Sequence, residues 1–202
     1  MKLYITPGSP YARLARIVVI EKGLEGRVAV IAAQTRLADS PYYAINPSGR
    51  VPYLVRDDGV GMEESSVIAA YLDQLDGSPK FELPPGAEKW EALRLGALAT
   101  SLLDGLSVWS RETARPPHER SPTVIRHETS RAERIADLWE SEIEHPYMRG
   151  GLNLVQIALG CALGLEARNP DLDWRQGHPK LCSWYERIAA RPSFAATVPP
   201  GG

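Results

Sequence analysis

The sequence predicts a small mixed α/β domain followed by an all-helical domain, and three observations predict it. Strand-like and helix-like patterns alternate over residues 1–76. The segment "DGSPKFELPPG", residues 76–86, carries three prolines and two glycines and reads as a linker. From residue 87 onward, apolar side chains recur only at helical spacing. The expected domains are therefore 1–76 and 87–202, joined by a linker over 77–86.

Residues 2–5 read as a strand. Residues 10–22 read as a helix, because proline is tolerated in a first turn and Gly23 ends the pattern. Leu14, Ile17 and Val18 form its apolar face and leave Arg13, Arg16, Glu21 and Lys22 polar. Residues 27–32 make a second strand. A β-α-β unit of this length implies a parallel pair with a right-handed crossover. A strand over 51–55, the turn Asp57-Asp58-Gly59 and a return strand over 60–62 form a hairpin signal. Residues 65–76 then give a helix with Ile68, Tyr71, Leu72 and Leu75 inward.

Beyond the linker, four helical stripes follow. Residues 87–110 use Leu95, Leu98, Leu102 and Leu106, and residues 123–144 use Val124, Ile125, Ile135, Leu138 and Ile143. Residues 154–167 use Leu154, Ile157, Ala158, Cys161 and Leu165, and residues 179–190 use Leu181, Trp184, Tyr185 and Ile188. Asn153 and Gln156 have the spacing of a capping box at the start of the third stripe.

The chain's 202 residues suffice for one large domain or two small ones. A net charge of −2 gives no basic excess, which argues against nucleic acid or an anionic membrane surface as partner. The apolar run 17–20 is too short to span a bilayer. The strand-like start leads one to expect no signal peptide. The two cysteines, Cys161 and Cys182, form no CxxC, and the four histidines show no HExxH spacing. A cytosolic, metal-free protein is expected.

Four stretches resemble one family. They are "SPYARLARI" after the first strand, "NPSGRVPYL", "DDGVGMEESSVIAAYL" and "ALGLEARNPDLDWRQGHPKLCSWYERIAARPSF". In that order, over nearly the whole chain, they are similar to the soluble, bacterial-type glutathione S-transferases. The resemblance implies a thioredoxin-like first domain, a helical second domain and glutathione as cosubstrate. It also implies a cytoplasmic homodimer with a detoxifying transferase activity. The glutathione site is expected in the first domain and the electrophile pocket between the domains. Arg168, Asp171, Asp173 and Trp174 in the last stretch read as packing and loop-fixing residues.

Glutathione must be ionised at sulfur before it attacks. Its thiol pKa is about that of free cysteine, roughly 8.5, so only a few per cent is thiolate at pH 7. Each unit of depression needs about 1.4 kcal/mol of thiolate stabilisation. A hydroxyl donor at a positive helix end can supply this. Ser9, just before Pro10, fits that role, and its oxygen is expected to be free of its neighbour because Pro10 has no N–H. The bland alternative is an ordinary N-cap. Thr6 and Tyr4 are rivals, and Tyr11 is a pocket candidate.

The resemblance makes Val51–Pro52 a cis bond that presents the Val51 backbone to the cysteinyl part of glutathione. Without it, an ordinary trans proline is the expectation. Arg50 is matched to the glycine carboxylate, or else is a solvated charge. Glu64 and Ser65, at a helix start, are matched to the γ-glutamyl ammonium and carboxylate. Their alternative is a capped helix with an acidic start, and Glu63 is a lesser candidate. By position, the helix carrying Leu106 and Trp109 is expected to contribute to the electrophile pocket.

The leading reading is an enzyme that activates glutathione for attack on a small, apolar electrophile. The alternatives are a glutathione-dependent isomerase and a non-catalytic binding module on the same fold. Thiol–disulfide exchange needs a protein thiolate, and Ser9 stands where redox branches carry cysteine.

Overall fold

β1 (Lys2–Ile5), α1 (Pro10–Glu21) and β2 (Ala29–Ala32) form the expected β-α-β unit, with β1 and β2 parallel from Lys2 opposite Ala29 to Ile5 opposite Ala32. β3 (Tyr53–Val55) and β4 (Gly61–Met62) form the hairpin. β3 is antiparallel to β1, so the sheet order is β2-β1-β3-β4. β3 starts later than the sequence suggests, since Pro52 has no N–H for a ladder. Gly23, at φ 62, ends α1 in a left-handed conformation that favours glycine. α2 (Ser65–Gln74) packs against α1. Leu3, Leu54, Ala15, Ile17, Val18, Ile68, Ala69 and Leu72, all 0% exposed, make the core of this layer.

The computed structural model describes residues 1–81, 83–169 and 171–200. It divides into two units, Met1–Glu82 with Pro192–Pro200 and Leu83–Arg191. The helical domain, expected over 87–202, does not hold the whole of that range, because Pro192–Pro200 groups with the first unit. Residues 201 and 202, and Glu82 of the expected linker, lie outside the described residues.

The reason lies on α1. Arg13 was expected on a polar face but is 3% exposed. Its Nη2 donates to Phe194 O (3.1 Å) and its Nε to Thr197 Oγ1 (3.3 Å), and the guanidinium lies 5.4 Å from the Phe194 ring centroid. Ser193 Oγ donates to Glu21 (2.6 Å). The terminal segment, including α8 (Pro192–Ala195), thus covers the side of α1 that carries the arginine.

In the second unit, α3 (Glu88–Thr113) packs against α4 (Pro122–Glu142) and α6 (Leu154–Leu163). α6 is buried at every position over 155–163, so it is apolar all round rather than striped. Asn153 caps it, accepting the Gln156 N–H at 3.0 Å. Gln156 does not close the expected box. Its side-chain amide donates to Met148 O instead (2.8 Å), at the end of α5 (Pro146–Arg149).

The stripe read on α4 is also corrected. Ile143 is buried as expected, at 4% exposed, but Leu138 is 42% exposed, and the buried face of the helix is Glu128, Ala132, Ala136 and Trp139. α7 (Pro179–Ala189) buries Leu181, Trp184 and Tyr185, and His178 before it bridges Trp174 O (2.7 Å) and Asp137 Oδ1 (3.0 Å). Trp174 donates to Leu163 O (3.2 Å) and Asp173 accepts the Gln176 N–H (3.2 Å), so both fix the loop. Asp171 is exposed, and the Arg168 side chain lies outside the described residues. Among the described residues, no helix is long and apolar enough to cross a membrane.

Candidate functional site

The register brings three connections to one end of the sheet. Tyr4 lies opposite Tyr53, so the exit from β1 adjoins the entry to β3. Leu54 lies opposite Met62, so β4 also leaves at that end. Ser9 follows β1, Arg50, Val51 and Pro52 precede β3, and Glu64 and Ser65 follow β4.

Ser9 is the N-cap of α1, with φ −81 and ψ 119. Its N–H donates to Thr6 O (3.0 Å), which closes the turn. Its Oγ accepts the Ala12 N–H (3.2 Å), so the oxygen is engaged, contrary to the expectation drawn from Pro10. The hydroxyl proton is a separate donor, and none of the described protein atoms accepts it. Thr6, Tyr4 and Tyr11 are half-buried, and the Tyr4 ring packs 5.6 Å from that of Tyr42.

The Val51–Pro52 bond is cis. The Val51 backbone N–H and C=O make no hydrogen bond with the described residues, although Val51 is half-buried. Such a donor and acceptor need a partner from elsewhere. Arg50 is exposed, and its carbonyl is held by Tyr42 Oη (2.6 Å) and Asn46 Nδ2 (3.0 Å). Burial pushes the Tyr42 phenol above its ordinary pKa. The Asn46 hydrogen bond opposes this, and Glu63, Tyr53 and Tyr4 add to the rise. The phenol therefore stays protonated and donates at neutral pH. Gly49 has φ 68, and a Cβ there would meet Tyr43 Cε1 at 2.6 Å.

Sequence reasoning missed Tyr42 and Asn46. Their signal was an i, i+4 pair just upstream of "SGRVP". Glu63, the lesser candidate, accepts a short hydrogen bond from Ser48 Oγ and so ties the exit of β4 to the same turn.

Glu64 caps α2 from a left-handed backbone, with φ 71 and ψ 119. Its carboxylate accepts from Ser66 N–H (3.4 Å) and Ser65 Oγ (3.3 Å). Ser65 is 6% exposed. A non-glycine residue in that conformation costs about 1–3 kcal/mol and tends to mark a functional loop.

Leu106 and Trp109, expected to line a pocket, are 1% and 5% exposed. The Trp109 indole donates to Thr129 Oγ1 on α4 (3.0 Å). Both are core residues of the helical unit. Tyr11, the third pocket candidate, stands in the first turn of α1, at the end of the sheet that holds Ser9. Among the described residues, no group of three or more His, Cys, Asp or Glu could hold a metal ion.

The N-terminal-domain family of the glutathione S-transferases matches residues 3–80. The uncharacterized GST-like protein YibF of Escherichia coli (strain K12) is 30% identical over 202 residues, covering 99% of each chain. Glutathione S-transferase 3 of Zea mays is 29% identical over 98% of this chain and 93% of its own. A glutathione transferase family member from Pseudomonas fluorescens Pf-5, solved with bound glutathione, is 35% identical and matches 98% of both chains with a TM-score of 0.88. With S-(propanoic acid)-glutathione bound, a family member from the same strain gives 0.85 over 99% of this chain and all of that one. The chain belongs to the glutathione S-transferase family, and its fold is the thioredoxin-like and helical pair of that family.

Proposed function

We propose that this protein is a glutathione transferase that activates the glutathione thiol for attack on a small, apolar electrophile. The observation that carries the reading is Glu64, held at φ 71 as the cap of α2 beside the buried Ser65. A helix start needs no such backbone, whereas a ligand clamp explains it. Glu64 pairs with the γ-glutamyl ammonium, and Ser65 turns its O–H from Glu64 to the γ-glutamyl carboxylate, which its N–H also meets. Val51 pairs its free N–H and C=O with the cysteinyl backbone, as an added strand would. Arg50 holds the glycine carboxylate. Bound glutathione supplies the nucleophilic sulfur, and the Ser9 O–H stabilises its thiolate form. The glutathione and S-substituted glutathione held by the Pseudomonas fluorescens relatives support this reading. A cytoplasmic, detoxifying role goes with it, and Cys161 and Cys182, neither of them in a disulfide, suit a reducing compartment.

Calorimetric titration with glutathione tests the site. Glu64→Ala should weaken binding by about 1.5–3 kcal/mol, the range for hydrogen bonds to charged groups. Glu64→Gly should lose comparable affinity yet melt no lower than the unaltered chain, because glycine relieves the left-handed strain. Unchanged affinity in both would leave Glu64 as a helix start only. Glutathione binding without turnover of an activated aryl halide would favour the non-catalytic module.

A homodimer belongs to the same proposal. Trp90 is 71% and Leu93 40% exposed on α3 of the helical unit, and Val67 is 49% exposed on α2 of the first. Large apolar groups left open in this way suit an interface. Sedimentation should give a dimer at micromolar concentration. Each buried large side chain contributes about 1.5–3 kcal/mol, and two-fold symmetry doubles any change. Trp90→Glu should therefore raise the dissociation constant about a hundredfold or more. A clean monomer for the unaltered chain would remove the proposal.

A further inference from the structure

The first turns of α4 border an open pocket of about 460 Å³ at the surface of the helical unit. Pro122, Ile125, Arg126, Thr129 and Ser130 share one helical face, and Arg120 joins them from the preceding turn. Neither arginine pairs with a carboxylate among the described residues. Three of the acids nearby are already engaged. Glu112 accepts the Ser121 N–H (2.5 Å), Glu119 pairs with Arg115 (3.3 Å), and Glu128 pairs with Arg131 (3.3 Å). Arg120 uses only its Nε, on Arg115 O (2.8 Å), so its terminal nitrogens stay available.

Thr129 extends the pattern. Its oxygen accepts the Trp109 indole N–H at 3.0 Å, and none of the described protein atoms accepts its own proton. The charged groups of the pocket are thus cationic donors, the threonine offers a further O–H, and Ile125 and Pro122 give an apolar wall. Such a wall beside two guanidinium forks selects an anion with an apolar body. A planar two-oxygen anion matches each fork best.

We propose that this pocket binds a small organic carboxylate with an aryl or alkyl body. The inference does not rest on glutathione binding, and the titration is run without glutathione. The full chain is titrated calorimetrically with 3-phenylpropanoate, with uncharged 3-phenylpropanol and with inorganic phosphate. The carboxylate should bind saturably, about tenfold or more tighter than the alcohol. It should also bind tighter than phosphate, which lacks the apolar body. Arg120→Ala with Arg126→Ala should weaken it at least about tenfold, and the paired Lys variant should recover part of the loss, since charge returns without the fork. Both arginines are exposed, so the fold should survive, as a thermal melt checks. Arg126→Glu alone serves if the double variant does not fold, with the same direction expected. No saturable binding by the unaltered chain overturns the proposal. Equal affinity for the alcohol or phosphate, or affinity unchanged by the arginine variants, overturns it as well.

Discussion

Replacing Asp73 by alanine should lower the stability of the protein by about 2–6 kcal/mol, because two backbone N–H groups each lose their acceptor at about 1–3 kcal/mol. Asp73 is 3% exposed. Its Oδ1 accepts the Lys80 N–H (2.8 Å) and its Oδ2 the Phe81 N–H (2.9 Å). Lys22 Nζ lies 3.4 Å from Oδ1, with only 3% of the lysine side chain exposed. Alanine leaves two backbone donors without an acceptor beside the buried Phe81. Lys22 still keeps Asp76 (3.0 Å) and Ser78 O (2.5 Å), so most of the loss belongs to the two N–H groups. Asp73→Asn keeps the volume and one acceptor and should lose less, about 1–3 kcal/mol. Urea unfolding measures both. A loss under about 1 kcal/mol for Asp73→Ala would mean that water replaces the carboxylate and that the chain after α2 is not pinned there.

The same residue shows what a sequence displays and what it hides. The elements of the first unit were legible because each carries its own punctuation, such as Pro10 and Gly23 around α1 and Asp57-Asp58-Gly59 in the hairpin. Once the strands are placed, their register alone brings Ser9, Val51 and Glu64 to one end of the sheet. Asp73 gave no such signal, because its partners Lys80 and Phe81 sit in a segment that reads only as linker.

Arg13 was hidden for a similar reason. Its partners Phe194 and Thr197 lie more than 180 residues away, and periodicity says nothing about a polar residue that a distant segment covers. On α4 the apolar pattern pointed to Leu138, while the buried face uses Ala132, Ala136 and Trp139. Small residues permit close helix packing but carry little hydrophobic signal. The left-handed backbone of Glu64 was equally invisible, because nothing in "MEES" calls for it.

Ser9→Ala should lower kcat/KM for an activated aryl halide about a hundredfold, the scale for losing one donor to a developing anion. Glutathione affinity should change little, since Arg50, Val51, Glu64 and Ser65 keep their proposed contacts. The bound thiol's pKa, read from thiolate absorbance, should rise by about 1–2 units, because a hydrogen bond to a charged group contributes about 1.5–3 kcal/mol. Stability should fall by about 1 kcal/mol as well, since Ser9 Oγ also accepts the Ala12 N–H. That double role demands a variant that separates cap from donor. Ser9→Asp does so: aspartate caps as well as serine and suits the positive end of α1, but its carboxylate cannot donate. It should keep the melting temperature while losing turnover and raising the thiol pKa further, since a second negative charge faces the thiolate. Ser9→Cys should lose conjugation and react with oxidised glutathione, its thiolate forming a mixed disulfide and releasing one glutathione thiolate. If Ser9→Ala changes neither the thiol pKa nor turnover, Ser9 is a cap alone, and Thr6→Val and Tyr4→Phe become the substitutions that locate the donor.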